Sequence, residues 1–293
     1  MLAFGLGLAC GRGGRLPVAS VFDFSAGVLP AGASFRRAST ALFTDAGGQL
    51  AIAAIDQPRF DHDAAGVPLG LLITRQRTNK CTNANANPVD LANVVKTGDA
   101  AATLALVDDR AALVAAGLGA ICPGKVYRLD NSAGTALAYA VVSGSAGETA
   151  SQTVSAYVRG GAGRLTLNAG AVPTNFAAAP AYVKRTAAVL PDQSYRTMAI
   201  AAEPGSTLYF ILNALVSGDA LASPIITTGQ AATQSADVLT LDWHRFGLAD
   251  GAITARYSFD DGSAQDVVTT VSGGLSIVPT NLNRPWIKQV EAL

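Results

Sequence analysis

The stretch Gln152-Thr-Val-Ser-Ala-Tyr-Val-Arg159 decides the fold class. Val154, Ala156 and Val158 alternate in it with Thr153, Ser155 and Tyr157, the two-residue period of a strand rather than the 3.6-residue period of a helix. Such alternation implies a sheet with one face in a core and the other wet or packed on a neighbour. Outward from it the same rhythm continues. Val126-Tyr-Arg-Leu129 runs into the turn Asp130-Asn-Ser-Ala-Gly134, and strand-sized runs follow over residues 136–142, 164–167, 181–185, 195–201 and 207–215. Toward the N-terminus lie Phe22-Asp-Phe24, Ser34-Phe35, Ala41-Leu-Phe43 and runs over 50–55 and 69–73, with Asp45-Ala-Gly-Gly48 placed as a hairpin loop. Toward the C-terminus, Gly262, Gly273 and Gly274 divide hairpins with strands over 253–259 and 267–271. Many short strands at a spacing of about 8 to 12 residues indicate an all-β sandwich or jelly roll.

One segment reads differently. Asp108-Asp-Arg-Ala-Ala-Leu-Val-Ala-Ala-Gly117 starts on acids, continues in Ala and Leu and stops on glycine, which predicts one short helix. Alanine is plentiful elsewhere too, although it is a poor strand former; periodicity and turn spacing outrank it, because strand propensity mostly reports packing context. No repeat of 20 to 50 residues is visible, which removes solenoids and propellers. The polar stretch Thr78-Asn-Lys-Cys-Thr-Asn-Ala-Asn-Ala-Asn-Pro88 marks a boundary near 80, and a second lies near 240. The expected organisation is an N-terminal arm and β-rich anchoring segment over 1–79, a jelly-roll domain over 80–240 and a C-terminal β segment over 241–293.

Composition narrows the function. The 293 residues are 49% hydrophobic and only 14% charged, with 21 Lys and Arg balanced by 21 Asp and Glu. Globular chains usually carry about 25% charged residues, so this surface is largely uncharged polar. A zero net charge leaves no electrostatic footprint for duplex nucleic acid. No apolar run reaches the roughly 18 to 20 residues of a membrane-spanning helix. The start Met1-Leu-Ala-Phe-Gly-Leu-Gly-Leu-Ala-Cys10 has some likeness to a short export signal ending in a lipoprotein cysteine. Its first base, Arg12, follows the apolar run rather than preceding it, so Met1 to Leu8 reads as an apolar arm that seeks a protein partner.

Chemistry-bearing motifs are scarce. GxSxG, HExxH, GxxxxGK[ST] and EF-hand patterns do not occur. The glycines of Gly5-Leu-Gly-Leu8 and Gly11-Arg-Gly-Gly14 lack the strand before and the helix after that a phosphate loop needs. Asp61-His62-Asp63 has metal-ligand or acid–base residue types and reads as a polar loop tip; Asp260-Asp261-Gly262 reads as a hairpin turn, with Ca²⁺ ligation as the alternative. His244, beside Trp243 at a strand end, reads as packing. Trp243, Trp286, Tyr195, Tyr209 and Tyr257 read as core anchors before sugar-stacking faces. Cys10, Cys81 and Cys122 show no metal or disulfide spacing and read as buried thiols, with a Cys81–Cys122 bridge left open. No catalytic, cofactor-binding or metal residue is assigned, and no cofactor is expected.

Two stretches resemble a known family. The first runs from Phe22-Asp-Phe24 through Leu29-Pro-Ala-Gly32, Phe35-Arg-Arg-Ala-Ser-Thr40, Pro58-Arg-Phe-Asp-His-Asp63 and Gly70-Leu-Leu-Ile73 to Arg77-Thr-Asn79. The second includes Thr153-Val-Ser-Ala-Tyr-Val-Arg-Gly160, Ala222-Ser-Pro-Ile-Ile-Thr-Thr-Gly229 and Ala236-Asp-Val-Leu239, and the tail Leu282-Asn-Arg-Pro-Trp-Ile287 follows. In order, they resemble "LPxGxxFxRAST", "PRFDYD", "GLLIExxRTN", "SxYVK/RxG" and "ATSPIPTxGAAxTRAADxL" of minor structural, tail or tail-fibre proteins of tailed bacteriophages and gene-transfer-agent particles, which carry a carbohydrate-binding-module-like jelly roll. Thr74 stands where that family often has Glu, and Gln234 where it has Arg. Read physically, the motifs are architecture: Gly70 and Gly229 suit turns, Pro58 and Pro224 sit at strand entrances, and Arg36, Arg37 and Arg77 can bind carboxylates or carbonyls between layers.

The resemblance implies a virion protein, made in the host cytoplasm and located in the particle's tail. It would bind other virion proteins through the N-terminal arm, associate as a trimer and attach to host-surface glycan, without enzymatic activity. The alternative is a head-decorating, spike-base or tail-adaptor subunit that touches virion proteins alone.

Overall fold

The computed structural model describes residues 20–82, 84–143, 152–167, 171–189, 197–217 and 223–293. The arm Met1 to Leu8, Cys10 and Tyr195 lie outside these residues. Seven strands precede residue 80: β1 (Val21–Asp23), β2 (Ala33–Arg36), β3 (Ala41–Thr44), β4 (Leu50–Ala53), β5 (Phe60–His62), β6 (Pro68–Leu72) and β7 (Arg77–Asn79). Then come β8 (Val94–Gly98), β9 (Thr103–Asp108), helix α1 (Arg110–Ala115), β10 (Lys125–Asn131), β11 (Ala138–Ser143), β12 (Gln152–Gly160), β13 (Gly163–Leu167), β14 (Ala171–Phe176), β15 (Ala179–Val189), β16 (Thr197–Ala202) and β17 (Ser206–Ser217). The chain closes with β18 (Ala232–Gln234), β19 (Val238–Asp242), β20 (Gly251–Phe259), β21 (Ala264–Val271), β22 (Leu275–Ile277) and β23 (Trp286–Ala292). The protein is all-β, and every strand pairing is antiparallel.

The middle of the chain forms a sandwich whose successive strands cross between two sheets, as in a jelly roll. One sheet runs β15-β12-β17-β10-β9, with β7 and β18 attached; the other runs β14-β13-β16-β11-β8. Between them pack Val154, Ala156 and Val158 of β12, Leu129 of β10, Ala140 of β11 and Ile200 of β16, all fully or almost fully buried. The alternation that decided the fold class is therefore real, but Thr153 and Ser155 are buried as well. Part of that opposite face also carries a third layer. Leu113 of α1, with Leu118, Cys122, Leu42 and Leu50, covers the opposite face of the same sheet against Tyr157, Tyr182 and Ile211.

The two ends of the chain build a second sandwich. The sheet β21-β20-β23-β6-β5, with β1 on β23, combines early and late strands. It packs on β2-β19-β22 around Phe22, Phe24, Trp243, Tyr257 and Phe259. Phe22 meets Trp243 edge to face at 5.0 Å and 86°.

Local readings hold in several places. The loop at Asp45–Gly48 joins β3 to β4 with Gly48 at φ +72°, and Asp260–Gly262 joins β20 to β21. The helix forms, but over Arg110–Ala115 and without a side-chain cap from Asp109. Residues 103–108 ahead of it form strand β9, so Asp108, read as the start of the helix, ends a strand instead. Four readings are corrected. Gly70 lies within β6 at φ +114°, where a Cβ would stand 2.5 Å from the carbonyl of Ile287, so close strand approach rather than a turn selects glycine. His244 is exposed in a 3-10 turn, bonded to Asp250 at 3.0 Å, while Trp243 alone is core. Arg36 is exposed, unlike Arg37 and Arg77. Asp61 and His62 belong to β5 and only Asp63 starts the loop, because Asp61 has buried partners described below. Cys81 and Cys122 are free, buried thiols in separate core clusters.

Candidate functional site: a buried charged joint and the cleft beside it

Where the two sandwiches meet, residues from three other segments converge on one carboxylate. Asp237, just before β19, accepts from Arg37 Nη1 at 3.3 Å, from Arg59 Nη2 at 2.5 Å and from the main-chain N–H of Thr74 at 2.7 Å. Thr74 Oγ1 donates to the same carboxylate at 2.9 Å and accepts from Arg59 Nη2 at 2.9 Å. Arg37 also donates to the carbonyls of Ser39 and Ala54. Arg77 donates to Gln234 Oε1 at 2.9 Å and to the carbonyl of Ser223. Both members of the Arg37–Asp237 and Arg59–Asp237 pairs have side chains with 0% exposure. Burial pushes the Arg59 and Arg77 guanidinium groups below their ordinary range, and Asp237 opposes that shift in both.

Sequence reasoning placed Arg37 and Arg77 correctly between layers. It left Arg59 and Asp237 unassigned, although both stand in the stretches that carry the family resemblance. The two departures from that family's pattern also meet here: Gln234 Nε2 donates to Thr74 Oγ1 at 3.0 Å. Gln234 and Thr74 thus add a neutral hydrogen-bonded pair to the joint.

Beside this joint a cleft of about 350 Å³ opens between the sandwich and the N-terminal hairpins. β5 places Asp61 and His62 on one wall; β12 and β15 place Tyr157 and Lys184, which are register partners, on the other. Trp286, at the start of β23, closes one side, and Tyr182 and Gly117 lie along the rim. Asp61 is 5% exposed and accepts from the main-chain N–H of Thr44 at 2.6 Å and from Trp286 Nε1 at 2.8 Å. His62 Nδ1 lies 3.2 Å from the carbonyl of Thr44, and Asp63 accepts from the N–H groups of Ala65 and Val67. The three residues read as one loop tip thus do three structural tasks, and both carboxylates already have donors.

Two other groups give the cleft its character, and a third is bonded to its Tyr182. Burial pushes the Tyr157 hydroxyl up to about 12, with the charge of Asp61 adding to it. Burial brings the Lys184 ammonium down to about 8, with Arg77 acting in the same direction. Asp109, read as a helix cap, instead accepts from Arg159 Nε and Nη2 at 2.6 and 2.7 Å and from the Tyr182 hydroxyl at 2.6 Å. Arg159 in turn lies 3.8 Å over the ring of Tyr209, which is half-buried rather than core. Trp286 is likewise a cleft wall rather than a core anchor. The signal available in the sequence was the second face of the 152–159 strand, where Tyr157 and Arg159 point away from Val154 and Val158. Among the described residues, no three His, Cys, Asp or Glu side chains gather as metal ligands.

No family model and no curated protein matches the chain. Among solved structures it is similar to the enzymatically active domain of bacteriophage CBA120 tailspike protein 4, over 47% of this chain and 21% of that one, at 12% identity and a TM-score of 0.33. It is also similar to a variant of a family 29 carbohydrate-binding module complexed with cellulohexaose, over 49% of this chain and 91% of that one, at 11% identity and a TM-score of 0.32. The chain spans only about a fifth of the tailspike domain it matches, and likenesses of this degree carry no argument about what it binds.

Proposed function

We propose that this chain is a structural subunit of a phage particle, a tail-fibre or tail-tip component that attaches to saccharide on the host surface. The observation that carries the reading is the buried joint. Arg37, Arg59, Arg77 and Asp237 come from separate stretches that resemble the virion family, and with Thr74 and Gln234 they meet in one hydrogen-bonded cluster. Residues from separate parts of the resemblance thus share one structural task, which supports the reading. The cleft supports the attachment half: an indole, two phenols, an imidazole and an ammonium surround a space of sugar-ring size.

The second reading is an adaptor that contacts only virion proteins. It is favoured by the way Asp61, Asp63 and Tyr182 spend their polar atoms on the protein itself. Two measurements separate these readings. Mass spectrometry and a density map of purified particles should find the chain in the tail, and its absence from particles removes both readings. A glycan array probed with the full chain should show binding that Trp286→Ala abolishes; an array with no signal from the particle-bound protein leaves the adaptor.

A further inference from the structure

The six-stranded sheet ends on β21, which among the described residues pairs only with β20. The hairpin between them fixes the phase of the ladder. Phe259 N–H donates to the carbonyl of Ser263 at 2.9 Å, and the register runs on unbroken to Gly251 opposite Val271. Hydrogen-bonded pairs alternate along an antiparallel ladder. Gln265, Val267 and Thr269 therefore aim their main-chain groups at β20, and Ala264, Asp266, Val268 and Thr270 aim theirs outward. Among the described residues, no main-chain hydrogen bond from another segment reaches those four.

Other edges of the molecule carry features that oppose strand addition. β14 contains Pro173, β15 contains Pro180, β8 carries Lys96, and β5 and β22 are three residues long. Along β9, none of Leu104 to Val107 is exposed. β21 has eight residues, no proline, no lysine and no bulge, and its Val268 is 71% exposed. Its single charge, Asp266, is held in the same molecule by both donors of Arg256, at 2.8 and 2.9 Å.

We propose that a second copy of this chain docks on this edge, β21 against β21, antiparallel about a two-fold axis through Val268. The strand is complementary to its own reverse. In this register Val268 faces Val268 of the second copy, Asp266 faces Thr270, and the outward N–H groups of these three residues meet outward carbonyls, while Ala264 falls opposite Ser272, whose main-chain groups bond to Leu275. No like charges oppose each other, and the most exposed valine of the strand becomes covered. Because the contact is isologous, it closes at two copies and makes a dimer rather than the trimer expected from the resemblance.

Light scattering and sedimentation of the full chain test this. The wild type should run as a dimer. Val268→Lys and Thr270→Pro should each weaken association at least tenfold while circular dichroism stays unchanged. Val268→Cys should give a disulfide-linked dimer on mild oxidation, and Thr254→Cys, one strand inward, should not. If a substitution disturbs folding, hydrogen exchange on the wild type decides, because the outward amides of Asp266 and Val268 should be protected only at concentrations where the dimer forms. A wild-type monomer or trimer overturns the proposal, as does a dimer that ignores both substitutions and fails to cross-link.

Discussion

Between β8 and β17 the chain fills its sandwich with many small side chains, Ala138, Ala140, Ala156 and Ala202 with Val142 and Val154, among aliphatic residues such as Leu129, Leu165 and Ile200 and one stacked Tyr127–Phe210 pair at 5.2 Å. In the sandwich made by the two chain ends, the corresponding places hold Phe22, Phe24, Phe35, Trp243, Tyr257 and Phe259. The first spreads its stabilisation over many modest contacts along nearly contiguous chain. The second concentrates it in a few large rings that reach each other only when distant segments pair. Interiors of both kinds can be close-packed, but a truncation leaves a much larger void in the second. The contrast also explains how an alanine-rich chain is all-β: in strands facing one another across a narrow core, alanine's small volume matters more than its weak strand propensity.

The joint between the sandwiches gives the sharpest way to break this picture. Asp237→Ala leaves two fully buried guanidinium groups without their carboxylate and should cost about 3–5 kcal/mol. Urea denaturation followed by the fluorescence of Trp243 and Trp286, both in the terminal sandwich, and by far-ultraviolet dichroism should then separate into two transitions, with the terminal sandwich lost first. By contrast, Asp266→Ala, which removes a solvent-exposed ion pair on β21, should leave the denaturation midpoint unchanged.

Next in size is a matched pair of truncations. Trp243→Ala should cost about 3–5 kcal/mol in thermal or chemical denaturation. Ala140→Gly, in the small-residue core, should cost roughly 0.5–1 kcal/mol. Equal costs at the two positions would end the distinction between the cores. Gly70→Ala comes third. It places a Cβ against the Ile287 carbonyl at a left-handed φ and should destabilise by about 1–3 kcal/mol, read as loss of amide protection in β6 and β23.

A further effect is a slope in pH. Lys184 has a folded value of about 8, below the 10.5 of the free side chain. Between these values the unfolded chain binds more protons than the folded one, so stability contributed at this residue rises with pH over that window. Lys184→Met should flatten the rise. Tyr157 acts in the opposite sense above pH 10, because its folded value of about 12 keeps a proton that the unfolded chain has released.

Much of this was legible from residues near one another in sequence. The Asp45–Gly48 and Asp260–Gly262 hairpins and the helix over Arg110–Ala115 follow from turn and helix chemistry within ten residues. The alternation of Val154, Ala156 and Val158 gave the strand, and Tyr157 and Arg159 marked its second face. What was not legible depends on long-range pairing. Asp61 looks like a loop acid until Trp286, 225 residues away, donates to it. Asp237 is an ordinary strand-entry acid until Arg37, 200 residues earlier, meets it. Gly70 looks like a turn residue because the sequence does not display the Ile287 carbonyl that crosses it. In each case a local rule was overridden by a partner from the other end of the chain.

The pairing of β1 with β23 has a mechanical consequence. Val21 lies opposite Glu291, and Ala292 N–H donates to the carbonyl of Ser20, so the described ends leave the molecule side by side. Tension drawn between them would load that ladder one rung at a time, starting from Ser20, and peel it open at low force. A pull between two points inside the alanine-lined sandwich would have to shear many rungs together, so this protein should tear from its seam long before its middle gives way.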